Sequence, residues 1–191
     1  KKSKKDIHPE KKEKRNSNDL CLNRKKDDKK LVCIIGDSIL NDIDQNGLSD
    51  DKFKVRVKNH PGATTEDICD HLKPEIRKKP DIVLVHSGTY DITKNVKSLE
   101  NHKRIIDSIK SNIPQCKLAI SNVITRKDIK GIDEKVEKFN IRLSKFSKKN
   151  KVDVIDNSNL DVSCLTNKKL HLNGKGCSYL ANNFLDYLDS L

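Results

Sequence analysis

Apolar and polar positions change their period several times along the chain. LVCIIG at 31–36 is an unbroken apolar run ending at glycine, the pattern of a strand buried on both faces. FKVRVK at 53–58 alternates, which predicts a less buried strand. Thr64 and Asp67 have capping-box spacing, and Ile68, Leu72 and Ile76 then fall one turn apart on one face of a helix. A third strand, IVLVH at 82–86, follows Pro80 and Asp81. Leu99, Ile105, Ile106, Ile109 and Ile113 mark a helix that stops before Pro114. KLAISNV at 117–123 predicts a fourth strand. Ile132, Val136, Phe139, Leu143 and Phe146 then predict an amphipathic helix. VDVI at 152–155 predicts a short fifth strand, and Leu180, Phe184, Leu185, Leu188 and Leu191 a terminal helix.

Strands alternating with helices across short connections imply right-handed crossovers. The fold class is therefore α/β, a mostly parallel sheet with helices on both faces, over residues 31–191. No internal repeat is visible. Residues 1–30 hold almost no apolar side chains and cannot offset their ordering entropy by burial, so they are expected to form a disordered basic tail.

Charge sharpens that division. The formal charge is +12, and residues 1–30 contribute 13 Lys and Arg against six Asp and Glu. The rest is only mildly basic. A basic tail is a candidate contact for RNA or DNA, since lysines release counterions from phosphates; a Lys-, Asn- and Ile-rich coding bias gives the same composition with no partner. The absence of Met makes Lys1 an unnatural start and implies a piece of a longer protein. Six cysteines without metal-ligand spacing suggest reduced thiols, an intracellular (cytoplasmic or nuclear) setting and no metal site. No apolar stretch approaches the ~20 residues of a membrane span.

Ligands of parallel sheets sit beyond the carboxyl ends of the strands. There the sequence places GDSIL after the first strand and HPGATT after the second. SGTYD follows the third strand, and LHLNGKG precedes the last helix. A serine after a glycine turn, a glycine whose backbone can be approached and a histidine suit acyl transfer. A base activates the hydroxyl, and preformed N–H donors receive the oxyanion. Ser38 is equally a good helix N-cap, and His86, within the third strand, reads as a core histidine.

The blocks GDSIL, PGATT, HSGTYD and LHLNGKG, in this order, resemble the SGNH (GDSL-type) hydrolase family across 31–191. Within it they look most like the esterase-type domains of animal LINE-type retroelement proteins. The resemblance implies a flavodoxin-like α/β/α sandwich with a five-stranded parallel sheet. It implies Ser38 as nucleophile, His171 as base, and the N–H groups of Ser38 and Gly62 as oxyanion hole, with Asp37, Gly88 and Asp91 supporting. It implies a small acyl-ester substrate and no cofactor.

Two positions depart from the family pattern. Tyr90 stands where the family's G-x-N-D block has an oxyanion-donating Asn, and Lys168 stands where D-x-x-H has its acid. Asn167, Asp161 or a backbone carbonyl are candidate substitutes, and a Ser–His dyad is the remaining arrangement. Two functions are therefore open: a serine esterase working through an acyl-enzyme, or a catalytically impaired relative of the same fold that binds RNA or another acidic partner. The oligomeric state is not legible.

Overall fold

The computed structural model describes residues 29–94 and 97–191, so the expected tail lies, except for its last two residues, outside the described residues. Five strands, β1 (Lys30–Gly36), β2 (Phe53–Asn59), β3 (Ile82–His86), β4 (Lys117–Ser121) and β5 (Asp153–Ile155), form one sheet in the order β2-β1-β3-β4-β5. Every neighbouring pair is parallel. This is the flavodoxin-type order, which places a topological switch point between β1 and β3. The helices are α1 (Thr65–Ile76), α2 (Asp91–Lys94), α3 (Ser98–Asn112), α4 (Ile132–Lys149) and α5 (Gly174–Asp189).

Alternation along the buried strands separates two faces. Val32 and Ile34 of β1, with Ile82 and Leu84 of β3, pack under Leu180, Phe184 and Leu188 of α5. Cys33, Ile35, Val83 and Val85 point the other way, onto Ile68 and Leu72 of α1 and Ile105 and Ile109 of α3. Leu143 of α4 joins Ile106 and Ile120 on that same side. Each such aliphatic side chain, fully buried, contributes about 1.5–3 kcal/mol.

The capping box forms as its spacing predicts: Thr64 accepts from Asp67 N–H, and Asp67 accepts from Thr64 N–H at 2.8 Å. Two strands are shorter than the apolar runs suggest, because helix groups take over their backbone. Past Ser121 the amide of Asn140, on α4, accepts from Val123 N–H at 3.0 Å and donates to its carbonyl at 2.8 Å. Val152 N–H donates to Ser147 O at the end of α4, so β5 starts at Asp153. The single turn α2 follows the third block directly, in a stretch for which the sequence predicts no element. No helix among the described residues is long and apolar enough to cross a membrane.

Candidate active site

The end of β1 lies hard against β3. A Cβ on Gly36 would stand 2.1 Å from the His86 carbonyl oxygen, so only glycine fits, and Asp37 N–H donates to that oxygen at 3.2 Å. Asp37 then accepts from Ile39 N–H at 3.0 Å, starting one turn of 3₁₀ helix over Ser38–Leu40. As the first residue of that turn, Ser38 has an N–H with no intrahelical acceptor. Its Oγ lies 3.1 Å from His171 Nε2, across 133 residues of chain.

His60 N–H donates to Gly36 O at 2.8 Å, which holds the loop after β2 against β1. Ala63 N–H closes back onto His60 O at 3.1 Å. Pro61 and Gly62 are the central residues of this turn, and Gly62 sits at φ 79°, the value a type II turn requires at that place. A Cβ on Gly62 would meet nothing within 4 Å, so the turn faces open space. Among the described residues nothing accepts from the N–H of Ser38 or of Gly62.

His171 is delivered by a short antiparallel pairing of Leu165 with Leu172. Thr166 N–H donates to His171 O at 2.8 Å. The cap of α5 braces the same loop, since Asn173 accepts from Gly176 N–H and donates to the carbonyls of Ser163 and Leu165 at 2.8 and 2.9 Å. Ser38 and His171 open into a cleft of about 350 Å³ lined also by Ile39, Asn41, Asp42, Pro61, Thr166, Leu172 and Cys177. A wider depression of about 610 Å³ beyond β4 and β5, lined by Asn122, Asn140 and Asp156 among others, contains neither residue. Ser38 and His171 share only the smaller cleft.

The third block is anchored from behind. The buried Asp91 carboxylate accepts from Thr65 N–H at 3.0 Å, at the start of α1. His102 Nδ1 bonds the Ser98 carbonyl at 2.9 Å and is therefore the protonated nitrogen. Its Nε2 then accepts from Ser87, whose oxygen in turn accepts from Thr65. Burial lowers the His102 pKa, consistent with a neutral ring. Gly88 O accepts from Ile92 N–H at 3.2 Å. Tyr90 belongs to this turn but not to the cleft lining. Its ring lies under Lys94 Nζ, 5.5 Å from the centroid, and its hydroxyl has no hydrogen bond among the described residues.

Two buried groups near the strand ends carry shifted pKa values. Burial pushes the Asp37 carboxyl up to about 6, with Ile39 N–H pulling against it. The hydroxyl and N–H of Thr89 also pull it down, but no hydrogen bond of good geometry forms, and Asp37 Oδ2 and Thr89 Oγ1 are both buried without a partner. Burial alone brings His86 down to about 4, and its Nδ1 bonds Ser121 Oγ at 3.0 Å. It is a link between β3 and β4, as its strand position suggests.

At the position of the expected acid, Lys168 is exposed in the turn before His171. Asn167 and Asp161 do not substitute for it: Asp161 caps Ser163 at 2.8 Å, and among the described residues nothing bonds His171 Nδ1. Sequence reasoning missed the ion pair beneath this loop. Arg126, only 4% exposed, grips Asp128 through Nε and Nη2 at 2.7 and 2.6 Å and donates from Nη1 to Thr89 O at 2.7 Å. The hydrogen bond from Arg126, together with its charge, holds the Asp128 carboxyl below its usual range. RKD after the fourth strand reads locally as a solvated charge run, so no signal in the sequence marks it.

No family model matches the sequence, and no curated protein matches it. Solved structures do. A protein from Bacteroides fragilis assigned as an acylhydrolase is 18% identical, with a TM-score of 0.70 over 84% of this chain and 87% of that one. A member of the lipolytic G-D-S-L family from Veillonella parvula is 17% identical, with a TM-score of 0.63 over 84% of this chain and 99% of that one. A catalytic mutant of an acetylxylan esterase from Geobacillus stearothermophilus is 15% identical, with a TM-score of 0.65 over 82% and 93%. At such identities the likeness establishes architecture: this chain has the α/β fold of the GDSL-type lipolytic hydrolases.

Proposed function

We propose that the domain is an SGNH-type serine hydrolase that cleaves small carboxylic esters through an acyl-enzyme. The observation carrying this reading is the 3.1 Å approach of Ser38 Oγ to His171 Nε2 beside two unused N–H groups. Ser38 Oγ attacks the ester carbonyl as its proton passes to Nε2. The oxyanion forms against the N–H groups of Ser38 and Gly62. Collapse expels the alkoxide, which takes the proton from the imidazolium. Water then repeats the sequence on the acyl-serine and frees the acid. The site requires no metal or organic cofactor for these steps.

The likeness of the four blocks to retroelement esterase-type domains, and an intracellular setting, belong to the same proposal. The alternative, an impaired hydrolase that binds RNA, draws on the exposed Lys168 and Lys169 beside the cleft and on Tyr90 standing outside it.

The test is hydrolysis of p-nitrophenyl acetate together with labelling by a fluorophosphonate. The native protein is expected to do both and Ser38→Ala neither. Labelling no higher than in the denatured protein would remove the catalytic reading. RNA binding that falls steeply with added salt would then support the alternative.

A further inference from the structure

Helix α4 sorts its charges by face. Lys135, Lys138, Arg142, Lys145 and Lys149 follow one another at steps of three and four residues, and all of them are exposed. At about 100° and about 1.5 Å per residue they lie within an arc of about 80° and form a row about 21 Å long. The acids of the helix, Asp133, Glu134 and Glu137, stand on one flank of that row. Glu134 lies 3.9 Å from Lys138, at the limit of an ion pair. Among the described residues Lys135, Arg142, Lys145 and Lys149 have neither a hydrogen bond nor an ion pair.

Helix stability does not account for the row. Cations three and four residues apart repel one another, and every neighbouring pair along this row is so spaced. The helix dipole favours cations in the last turn, which accounts for Lys149 but not for Lys135 and Lys138 near the N-terminus. A helix lying on a lipid surface sinks apolar side chains beside its cations. Here the large exposed apolar residue of α4, Ile141, stands about 80° from the middle of the row. What borders the row is an aromatic ring: half-buried Phe139 lines a notch of about 240 Å³ together with Lys135, Lys138 and Arg142. Phosphates tracking a line of cations while a base stacks on an aromatic ring is how proteins hold unpaired strands. We propose that this face of α4 binds single-stranded RNA or DNA, its backbone along the row and a base against Phe139. The proposal goes beyond the hydrolase reading and does not depend on it, since α4 contributes no residue to the cleft of Ser38 and His171.

The experiment titrates the full chain against fluorescent oligouridine and oligothymidine over a range of salt concentrations, with a duplex of equal length for comparison. Each phosphate-neutralising cation adds about 0.7 to the slope of log affinity against log salt for a single strand. Lys138→Gln, Arg142→Gln, Lys145→Gln in one chain is therefore expected to reduce that slope by about 2 and to weaken binding at least about tenfold. Glutamine suits a helix as well as lysine does, so the variant should fold. If it does not, each single change is read alone, with about a third of the shift in slope. Lys168→Gln, Lys169→Gln, beside the cleft, should leave the slope as it is. Both single strands should bind more tightly than the duplex, whose bases are not free to stack on Phe139. An unchanged slope in the folded α4 variant overturns the proposal, and so does a preference for the duplex. Equal affinity for a polyglutamate peptide or for phosphatidylserine vesicles overturns it too, by showing attraction to any anion. Fluorophosphonate labelling decides the hydrolase reading separately, and the α4 variant should label as the native protein does.

Discussion

Gly36 meets the carbonyl of His86 so closely that the ends of β1 and β3 leave no room for a methyl group, which would stand 2.1 Å from the oxygen. This contact sets the height at which the chain leaves the sheet, and so where Ser38 begins its turn. Gly36→Ala is expected to force the strands apart and to cost about 3 kcal/mol. The denaturant midpoint measures that loss. Labelling of Ser38 in the fraction still folded should fall as well, because the displaced backbone carries the hydroxyl away from His171.

Gly62 presents the opposite case. A methyl group there meets nothing within 4 Å, yet φ of 79° is strained for any residue with a side chain. Gly62→Ala should therefore fold, at a cost of about 1–2 kcal/mol. Relief of the strain turns the Gly62 N–H away from the oxyanion, and kcat is expected to fall about 10²-fold with little change in KM. Full activity in a folded Gly62→Ala would exclude this N–H from the oxyanion hole.

Asp37 and His86 give the fold opposed pH responses. Folded Asp37 has a pKa of about 6 against an ordinary 3.8, so the native state binds a proton more tightly than the unfolded chain. Its contribution to stability falls as pH rises from about 4 to 6. His86, near 4 in the fold against 6.5, resists protonation, so its contribution falls as pH drops from about 6.5 to 4. Asp37→Asn removes the first response and keeps an oxygen for Ile39 N–H. It is expected to be more stable than the native protein at pH 7, by about 3 kcal/mol at most, with the gap closing towards pH 4. Denaturation at several pH values measures the gap. A gap that does not change with pH would show that Asp37 does not titrate in this window.

The elements that sequence reasoning found are those whose cause is local. An unbroken apolar run such as 31–36 has few ways to be buried, and Thr64 with Asp67 builds a cap from adjacent residues, so both were legible in place. The strand ends were less so: Asn140, 17 residues beyond Val123, takes over the backbone of β4, and nothing near Val123 announces it. The same contrast runs through the site. Ser38, Gly62 and His171 sit in blocks with recognisable order, and the fold brings Ser38 and His171 together and sets the Gly62 turn on the same cleft, through Pro61. Arg126 and Asp128 gain meaning only from Thr89 and Lys169, residues about 40 positions away on either side. A buried ion pair and a solvated one look alike in sequence.

Tyr90 tests how many donors the oxyanion site holds. Its hydroxyl has no hydrogen bond among the described residues, its ring lies under Lys94, and it is absent from the cleft that Ser38 and His171 share. If the phenol takes no part, Tyr90→Phe leaves kcat and KM for p-nitrophenyl acetate unchanged. Tyr90→Asn is the sharper variant. It places an amide where the resembling family has one, and the surrounding turn does not depend on the phenol, because Thr93 and Lys94 bond the Tyr90 carbonyl through their own groups. A gained donor at a developing oxyanion is worth about 10²–10³ in kcat when its aim is right. An asparagine without evolved neighbours should recover part of that, so Tyr90→Asn is expected to raise kcat about tenfold. The gain should vanish in Ser38→Ala, Tyr90→Asn, where no oxyanion is formed. A large loss in Tyr90→Phe would instead mean that the phenol swings into the cleft when substrate binds.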